Sequence, residues 1–381
     1  MSLRVLFITT GLGTGGAERM LVKLIESLGC RGVECRTVSL LDAGSQGDNI
    51  RDLGVVVDEL RMNRVSGMLL ALFRIVRVMW SFKPDVVQGW MYHGNLGAMI
   101  AWLFRPRRCR LFWGIRHSPY ALSQEPWLTR QLIRLGAMLS GLPQRLIYNS
   151  RVSVELHSAI GYAAKHAIVI PNGFNLLRFH ADPERRNRKR GELGIAPETP
   201  VVGVVARNHP MKDHGSLVEA AVRVRQDFPA VLFLLAGSGI DSSNTRLADR
   251  IAARGLNPNF LLLGEVSDTE NLYPAMDVCA LSSSWGEAFP NVLGEAMASG
   301  IPCVSTDVGD ARLILGDTGT TVPSRDSAAL AEAISRMLGL DDAARRQLGE
   351  RASERIGRLF SLDAVSDAYL GQYAVQETTR P

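Results

Sequence analysis

The same alternation of strand-like and helical segments occurs twice along the chain, and it limits the folds that the chain can adopt. Short runs rich in β-branched residues alternate with segments of helical periodicity, first from residue 4 and again from residue 200. The first series opens with RVLFITT and AERMLVKLIESL, and the second opens with PVVGVVA and SLVEAAVRVRQ. Strands that alternate with helices of this length predict parallel β-α-β units. Since 381 residues exceed one ordinary core, we expect two doubly wound α/β domains rather than one long sheet.

A polar segment separates the two series. Residues 180–199 read HADPERRNRKRGELGIAPET and are rich in charge, proline and glycine, and we expect the linker to run from about Asn172 to this stretch. The predicted domains are therefore residues 1–175 and residues 176–365. The last segment has the apolar spacing of an amphipathic helix, and we expect this helix, about residues 366–381, to pack back on the first domain.

Composition indicates a globular chain in a reducing compartment. Hydrophobic residues make up 46% of the chain and charged residues 21%, as in ordinary globular proteins. The five cysteines are scattered and form no C-x-x-C pair, which argues against a disulfide framework and against a zinc site. The N-terminus runs directly into a strand pattern, and the charge-free run 86–104 is interrupted by polar residues and glycines. We expect a cytoplasmic protein without a transmembrane helix.

Basic residues are concentrated in the first half. Residues 1–175 hold 21 Lys and Arg against 11 Asp and Glu, whereas the remainder holds 22 against 27. Three segments of the basic half mix arginine with tryptophan, leucine and phenylalanine: MLLALFRIVRVMWSF (68–82), WLFRPRRCR (102–110) and WLTRQLIRLGAML (127–139). Amphipathic helices of this composition bind anionic membranes through apolar burial and nearby cations. Ordinary core helices with a solvated rim of arginines are the alternative.

A glycine-rich turn follows the first predicted strand. Gly11, Gly13 and Gly16 fit the G-x-G-x-x-G spacing of a dinucleotide-binding turn, and the start of the next helix offers main-chain N–H groups to an anion. Asp42, the acidic residue expected after the second strand, comes 26 positions after Gly16 and fits this pattern only loosely. A turn that packs a helix against a sheet explains the glycines equally well.

Four charged residues of the second half suit a ligand with both phosphates and hydroxyls. Arg207 and Lys212 lie in the loop after VVGVVA, at the carboxyl edge where open α/β sheets bind ligands. Two cations there can grip both phosphates of a nucleotide diphosphate. Glu287 follows the strand MDVCALSSS and Glu295 lies in the next helix, so two carboxylates can meet hydroxyls at opposite ends of a nucleotide sugar. Main-chain N–H groups within the segment 289–292, where this helix starts, could face phosphate or sugar oxygens.

These motifs, taken in order, resemble those of the retaining glycosyltransferases of family 4, which have the GT-B fold. The E-x7-E element of that family reads E-AFPNVLG-E here, and the basic pair reads R-NHPM-K. Lesser motifs follow the same order: GGAER (15–19), YNS (148–150), IPNGFN (170–175), LLLGEV (261–266) and STDVG (305–309). The resemblance covers nearly the whole chain. It implies two Rossmann-like domains that face each other across a cleft, an acceptor-binding domain first and a donor-binding domain second.

The resemblance also implies a role for each matching residue. Arg207 and Lys212 would hold the donor diphosphate. Glu295 would accept hydrogen bonds from the ribose, and Glu287 would bind hydroxyls of the transferred sugar. His117 matches the place where related enzymes keep a histidine near the reacting sugar, so it joins Arg207, Lys212 and Glu287 as a candidate catalytic residue. The remaining donor-binding candidates are Gly15, Gly16, Glu265, Val266, Phe289, Pro290, Asn291 and Val292.

Some positions leave alternatives open or depart from the family pattern. His117 could donate a hydrogen bond to a sugar hydroxyl or face developing positive charge with its carbonyl, and a scaffold histidine is an equal alternative. Asn175 replaces the Asp common after P-N-G, and Asp213 follows Lys212 where Gly is frequent. DARLI (310–314) stands where a Gly and then an acidic residue are usual.

The reaction expected from this resemblance needs neither a metal nor a cofactor besides the nucleotide sugar. The acceptor would attack on the face from which the nucleotide departs, and the β-phosphate would take the acceptor proton. We expect a UDP-sugar as donor and a lipid-linked or glycan acceptor at the cytoplasmic membrane face. A nucleotide-sugar epimerase or a non-catalytic basic binding protein are the alternatives, but no nucleic-acid recognition motif is visible.

Overall fold

The computed structural model describes residues 2–62 and 66–374, without the side chains of residues 66–69 and 124. Within the described residues the chain divides into two compact units. Unit 1 runs to Gly173 and resumes at Leu362, and unit 2 runs from Phe174 to Ser361.

Unit 1 is built on a parallel sheet of seven strands in the described residues, in the order β3-β2-β1-β4-β5-β6-β7. The strands are β1 (Arg4–Thr9), β2 (Glu34–Ser39), β3 (Val56–Glu59), β4 (Val86–Trp90), β5 (Arg110–Ile115), β6 (Arg145–Tyr148) and β7 (Ala167–Val169). The helices between them are α1 (Gly16–Cys30), α2 (Gly44–Asp52), α3 (Ser66–Phe82), α4 (Met91–Leu103), α5 (Trp127–Leu139) and α6 (Arg151–Ile160).

Unit 2 repeats this architecture with six strands among the described residues, in the order β10-β9-β8-β11-β12-β13. The strands are β8 (Val201–Val205), β9 (Leu232–Ala236), β10 (Phe260–Leu262), β11 (Val278–Leu281), β12 (Cys303–Thr306) and β13 (Gly319–Val322). The helices are α7 (Pro183–Glu192), α8 (His214–Asp227), α9 (Thr245–Ala253), α10 (Thr269–Leu272), α11 (Asn291–Ala298), α12 (Ala311–Leu315), α13 (Ser327–Leu338) and α14 (Asp342–Phe360).

Both sheets are buried on both faces, which explains their nearly continuous apolar strands. In β1, Leu6 and Ile8 belong to one core cluster, whereas Val5 and Phe7 belong to the cluster on the other face. In β11, Cys279 and Leu281 alternate with Val278 and Ala280 in the same way. These two parallel sheets with helices confirm the predicted doubly wound α/β class.

The last described helix, α15 (Leu362–Ala374), packs in unit 1 against α1. Tyr369 and Tyr373 are fully buried there, and the Tyr373 hydroxyl donates to Gln88 Oε1 at 3.0 Å. The expected continuation of this helix over residues 375–381 lies outside the described residues.

Strand order reverses between β1 and β4 in unit 1 and between β8 and β11 in unit 2. Ligands of open α/β sheets bind at the carboxyl ends of the strands at such a reversal. The apolar run 86–104 forms β4 and α4, and no described helix is long and apolar enough to cross a membrane.

Candidate active site

The predicted basic pair lies in the loop after β8. Gly237, in the loop after β9, has φ 149° and lies so close that a Cβ there would be 2.3 Å from the Ala206 carbonyl oxygen. The loop after β9 therefore packs directly against the start of the loop that carries Arg207 and Lys212. The Arg207 side chain is exposed, whereas Lys212 is half-buried at the end of the short 3-10 turn Pro210–Lys212.

Asp213 stands where the family frequently has glycine, and its side chain stabilises the backbone conformation of this loop. Its backbone is left-handed, with φ 47°, a conformation that favours glycine. The Asp213 carboxylate accepts a hydrogen bond from the Ser216 main-chain N–H at 3.1 Å and from the Ser216 hydroxyl at 2.7 Å. This N-cap of α8 offsets the backbone strain.

Lys212 and Glu287 meet where β8 and β11 lie side by side. Lys212 Nζ lies 2.5 Å from Glu287 Oε1, and the Ser283 hydroxyl donates to the same oxygen at 2.6 Å. The Ser282 hydroxyl donates to the main-chain oxygen of Lys212 at 2.7 Å. The Lys212 and Glu287 side chains are 15% and 10% exposed, so they form a nearly buried ion pair. The structure thus joins one predicted cation and one predicted carboxylate at the reversal of strand order.

The STDVG segment supports the Glu287 loop. Gly309 has φ 55°, and a Cβ there would lie 2.6 Å from the main-chain oxygens of Glu287 and Ala288. The Asp310 main-chain N–H donates to the Ala288 carbonyl at 2.9 Å. Both the conformation and the close approach require glycine at position 309.

Glu295 lies on α11 and is held by a buried tyrosine. The Tyr273 hydroxyl donates to Glu295 Oε2 at 2.9 Å, and Tyr273 is fully buried. Burial, with the nearby charge of Glu295, raises the pKa of Tyr273 well above its usual value, so the hydroxyl keeps its proton and remains a donor. Glu295 itself is half-buried.

The segment between Glu287 and Glu295 contains two buried core residues and then the start of α11. The Phe289 ring is 5% exposed and packs on Phe174 and Phe360, with ring centroids 6.2 and 5.6 Å away. Pro290 is also buried, and α11 begins at the half-buried Asn291, followed by Val292. The Phe289 side chain therefore belongs to the core, and only the main chain of this predicted donor-binding residue is available for a ligand.

Two further donor-binding candidates follow β10, two strands away from β8. Glu265 is exposed, whereas Val266 is half-buried and packs against a core cluster. Both follow the carboxyl end of β10.

Gly15 and Gly16 lie in unit 1 at the start of α1. Gly15 is the N-cap, Gly16 is the first helical residue, and the Glu18 carboxylate folds back against Gly15. A carboxylate at this position complements the positive end of the helix dipole. The Trp90 indole N–H, from the end of β4, donates to the Ala17 carbonyl at 2.9 Å and ties the glycine turn to the neighbouring strand.

His117 follows β5 in unit 1. Its Nδ1 lies 3.2 Å from the Tyr92 hydroxyl, and its Nε2 lies 3.3 Å from Glu125 Oε1. Burial lowers the pKa of His117, and the charge of Glu125 acts in the opposite direction. Arg116, just before it, stacks over the Trp90 ring at 4.4 Å, which links the His117 loop to the glycine turn.

The candidate residues therefore follow strands of their own unit's sheet, and the structure brings Lys212 and Glu287 into direct contact. The sequence motifs do not include the residues that hold the candidate side chains in place. Ser283 had a possible signal, since three serines directly follow the strand pattern of β11. Tyr273, Tyr92 and Glu125 had none, because their contacts come from elements far apart in the sequence. Among residues 2–62 and 66–374 no group of three His, Cys, Asp or Glu is arranged to hold a metal ion.

Two protein-family models match the chain. The family described as Glycosyltransferase Family 4 matches residues 14–178, and the family described as Glycosyl transferases group 1 matches residues 199–339. Together these two segments contain every candidate site residue named above.

Individual proteins are similar over different shares of their length. The lipopolysaccharide core biosynthesis glycosyltransferase LpsE of Rhizobium meliloti is 27% identical over 368 residues, which cover 93% of this chain and 95% of LpsE. The exopolysaccharide phosphotransferase of Streptomyces coelicolor is 32% identical over 227 residues, which cover 58% of this chain and only 22% of that protein. The crystal structure of Anabaena HepE in complex with UDP has a TM-score of 0.83 at 22% identity, covering 97% of this chain and 99% of HepE.

Proposed function

The chain belongs to glycosyltransferase family 4 and has the GT-B fold, and we propose that it transfers a sugar from a UDP-sugar to an acceptor with retention of the anomeric configuration. Support for UDP comes from HepE, whose structures in complex with UDP and with UDP-glucose share this fold at 22% identity. The proposed acceptor is a lipid-linked or glycan intermediate at the cytoplasmic membrane face, since LpsE acts in lipopolysaccharide core biosynthesis.

The observation that carries this proposal is the nearly buried pair of Lys212 and Glu287 at the strand reversal. A diphosphate bound here would compete with the Glu287 carboxylate for the Lys212 ammonium, and the exposed Arg207 supplies a second cation on the same loop. The Glu287 carboxylate, in turn, would accept hydrogen bonds from hydroxyls of the transferred sugar. Substrate binding would therefore replace a contact within the protein by contacts with the donor.

Glu295 is suited to bind the ribose. Its carboxylate is already oriented by the buried Tyr273 hydroxyl at 2.9 Å. An oriented carboxylate can accept hydrogen bonds from two vicinal hydroxyls without a large loss of side-chain entropy. The same helix begins at Asn291, and its N-terminal dipole favours an anionic group nearby.

The proposed chemistry requires no carboxylate nucleophile. The acceptor hydroxyl attacks the anomeric carbon on the face that the UDP leaves, the bond to the β-phosphate oxygen breaks, and that phosphate takes the acceptor proton. Retention by a double displacement would instead need two closely spaced carboxylates, one of them a nucleophile. Glu287 and Glu295 each receive hydrogen bonds from neighbouring side chains, which suits hydroxyl binding.

We also propose that the transfer proceeds without a metal ion or another cofactor. The charge that develops on the departing UDP would be neutralised by Arg207, Lys212 and the start of α11. Activity in excess EDTA equal to activity in added Mg²⁺ is the expected result, and strict dependence on a divalent cation would contradict this part of the proposal.

The outer faces of three neighbouring helices support an anionic membrane as a partner. α4 contacts both α3 and α5 on one side of the unit 1 sheet. Large apolar side chains are exposed on these helices and at the end of α4: Leu70, Phe73, Trp80, Leu103, Phe104, Trp127, Leu128, Leu135 and Met138. We call these residues the apolar surface of unit 1.

Charge complementarity supports an anionic membrane as the partner of this surface. Exposed arginines accompany the apolar residues: Arg74, Arg77, Arg105, Arg108 and Arg134. Between residues 61 and 151 the only acidic residues in the sequence are Asp85 and Glu125. Apolar side chains embed in the headgroup region, and each cation near an anionic leaflet adds about 1 kcal/mol. A peripheral position on the inner membrane face would bring the enzyme to a lipid-linked acceptor.

Two experiments test the proposal. Release of UDP should require both a UDP-sugar and an acceptor, and NMR of the product should show the anomeric configuration of the donor. Isomerised UDP-sugar without acceptor, or an inverted product, would contradict it.

For the membrane, Trp80→Ser with Trp127→Ser should abolish sedimentation with phosphatidylglycerol vesicles, whereas the control Leu177→Ser, at an 88% exposed position in unit 2, should not. Near-zero recovery of the unchanged protein with both anionic and neutral vesicles would end the membrane proposal.

A further inference from the structure

A cavity of about 350 Å³ lies in unit 2 between the loop after β8, the start of α8 and the start of α9. The Asn208 main-chain N–H, from the loop after β8, donates to the Ser238 carbonyl of the loop after β9 at 2.8 Å, so the two loops are held together. Small-molecule pockets span roughly 300–1,000 Å³, so this volume suits a small ligand. The described residues that line the cavity do not include the charged donor-site candidates Arg207, Lys212, Glu287 and Glu295.

Two arginines line the cavity from α9. Arg246 and Arg250 lie one turn apart on this helix, and both are exposed. Arg254, at the end of the same helix, pairs with Glu219 at 2.9 Å. Within residues 2–62 and 66–374, in contrast, the guanidinium groups of Arg246 and Arg250 have no ion-pair partner. Two cations therefore face this cavity without a carboxylate to neutralise them.

Gly215 makes room for one of these cations at the start of α8. A Cβ at position 215 would clash with Arg250 Nη1, so the guanidinium lies directly against the first turn of the helix. The first main-chain N–H groups of a helix lack acceptors within it, and its dipole is positive there. Asp213 is the only carboxylate among the described residues that line the cavity, and both of its oxygens accept from Ser216. The cavity therefore favours an anion.

His214 adds a buried acceptor to the wall of the cavity. It is 7% exposed, and its Nε2 lies 3.3 Å from the Arg207 carbonyl oxygen, which can only accept, so Nε2 carries a hydrogen. Burial lowers the pKa of His214, so the ring is neutral near pH 7.5 and Nδ1 has a lone pair. Among the described residues Nδ1 has no hydrogen-bond partner. A buried acceptor without a donor costs free energy, and a hydroxyl group of a ligand would satisfy it.

We propose that this cavity is a second ligand site of unit 2 and that it binds the phosphate ester of a sugar or polyol. Arg246, Arg250 and the start of α8 hold the phosphate, because arginine forms strong charge-assisted hydrogen bonds with this anion. A hydroxyl of the same ligand donates to His214 Nδ1. These contacts use none of the residues assigned to the UDP-sugar, so this part of the proposal does not rest on the proposed function.

His214 also connects the cavity to the loop that carries Arg207. Its ring meets the Arg207 carbonyl, and Asn208 lines the cavity directly after Arg207. A ligand that fixes His214 and Asn208 restricts this loop, so less conformational entropy remains to be lost when UDP binds. UDP and the phosphate ester should therefore strengthen each other's binding, by the same factor in each direction. This part rests on the proposed function.

Calorimetry on the full chain tests the cavity with glycerol 3-phosphate as the probe. Arg250→Gln should weaken binding roughly tenfold, because it removes a charge-assisted contact. Gly215→Ala should also weaken binding, because the added Cβ displaces the Arg250 guanidinium while its charge remains. Inorganic phosphate should bind more weakly than the ester, and glycerol should not bind. Absence of binding by the unchanged protein, unchanged affinity in both variants, or tighter binding of inorganic phosphate would overturn the proposal.

Arg223→Gln is the matched control for Arg250→Gln. Arg223 is an exposed arginine on α8 that does not line the cavity, so this change removes the same charge from the same unit. Its affinity for glycerol 3-phosphate should equal that of the unchanged protein, whereas equal weakening in both variants would show that net charge rather than the cavity binds the probe. The urea midpoints of all variants should match or exceed that of the unchanged protein, since alanine favours a helix more than glycine does.

The same titration in saturating UDP separates the cavity from the donor site. We expect glycerol 3-phosphate to bind roughly fivefold more tightly with UDP present. Equal affinity would overturn the link to the Arg207 loop, and loss of binding would show that both ligands share one site. If the chain does not bind UDP, the proposed function fails, while Arg250→Gln and Gly215→Ala still decide whether the cavity binds the ester.

Discussion

Replacement of Lys212 by methionine removes the ammonium from the pair with Glu287 and keeps most of the apolar volume of the side chain. The two side chains are 15% and 10% exposed, and Nζ and Oε1 are 2.5 Å apart. The remaining carboxylate keeps the Ser283 hydroxyl as a donor, but loses the charge of Lys212 in a site that water hardly reaches. A buried charge left without its partner destabilises the folded state more than the intact pair stabilises it.

The expected size of this effect follows from the burial. Breaking a fully buried pair costs roughly 3–5 kcal/mol, and the remaining exposure places Lys212→Met near the lower limit, at about 3 kcal/mol. Glu287→Gln should cost a similar amount, because it leaves the ammonium without its carboxylate. The double variant removes both charges and should lose about 2 kcal/mol less than the sum of the single variants.

Urea unfolding of the four proteins measures this coupling energy, with the unfolding of unit 2 followed by the fluorescence of Trp285, its only tryptophan. Titration calorimetry with UDP gives the functional counterpart, and Lys212→Met should weaken UDP binding roughly 10- to 100-fold. If the losses in unfolding free energy are additive within about 0.5 kcal/mol, the two side chains do not interact in solution and the reasoning from their contact is refuted.

Three other variants have distinct expected outcomes. Arg207→Ala should change the free energy of unfolding by less than about 0.5 kcal/mol, because this side chain is exposed. The same change should weaken UDP binding roughly tenfold by calorimetry, and unchanged binding would contradict the assignment of Arg207 to the site. Tyr273→Phe should weaken UDP binding roughly fivefold, since Glu295 loses the donor that orients it, and equal affinity would contradict the ribose assignment. Burial lowers the pKa of His157 from 6.5 to about 4, so stability from its neutral form is present above pH 6.5 and is lost as pH falls towards 4. That loss is on the order of 3 kcal/mol, and urea unfolding at pH 7.5 and 4.5 should show a smaller difference for His157→Gln than for the unchanged protein.

The sequence predicted the architecture because parallel strands buried on both faces have a strong local pattern. VVGVVA and MDVCALSSS are apolar runs of strand length, and they form β8 and β11. The candidate site was also predicted from the strand order, since ligands of open α/β sheets bind where the order reverses. Arg207 and Glu287 follow the two strands that flank the reversal in unit 2.

The contacts within the site were not predictable, because they join elements that are distant in the sequence. Lys212 and Glu287 are 75 residues apart, so no local pattern indicates that they touch. Tyr92 and His157 are 65 residues apart and lie on different helices. Phe289 was predicted to bind the donor through its main-chain N–H. Motif spacing does not reveal that its side chain fills the core beside Phe174.

A crystal structure of the complex with UDP tests the central claim most directly. We predict that a phosphate oxygen lies within hydrogen-bond distance of Lys212 Nζ, that Arg207 approaches the same diphosphate, and that the Glu295 carboxylate accepts hydrogen bonds from the ribose hydroxyls. UDP bound elsewhere on the chain, with the pair of Lys212 and Glu287 still closed, would contradict the account.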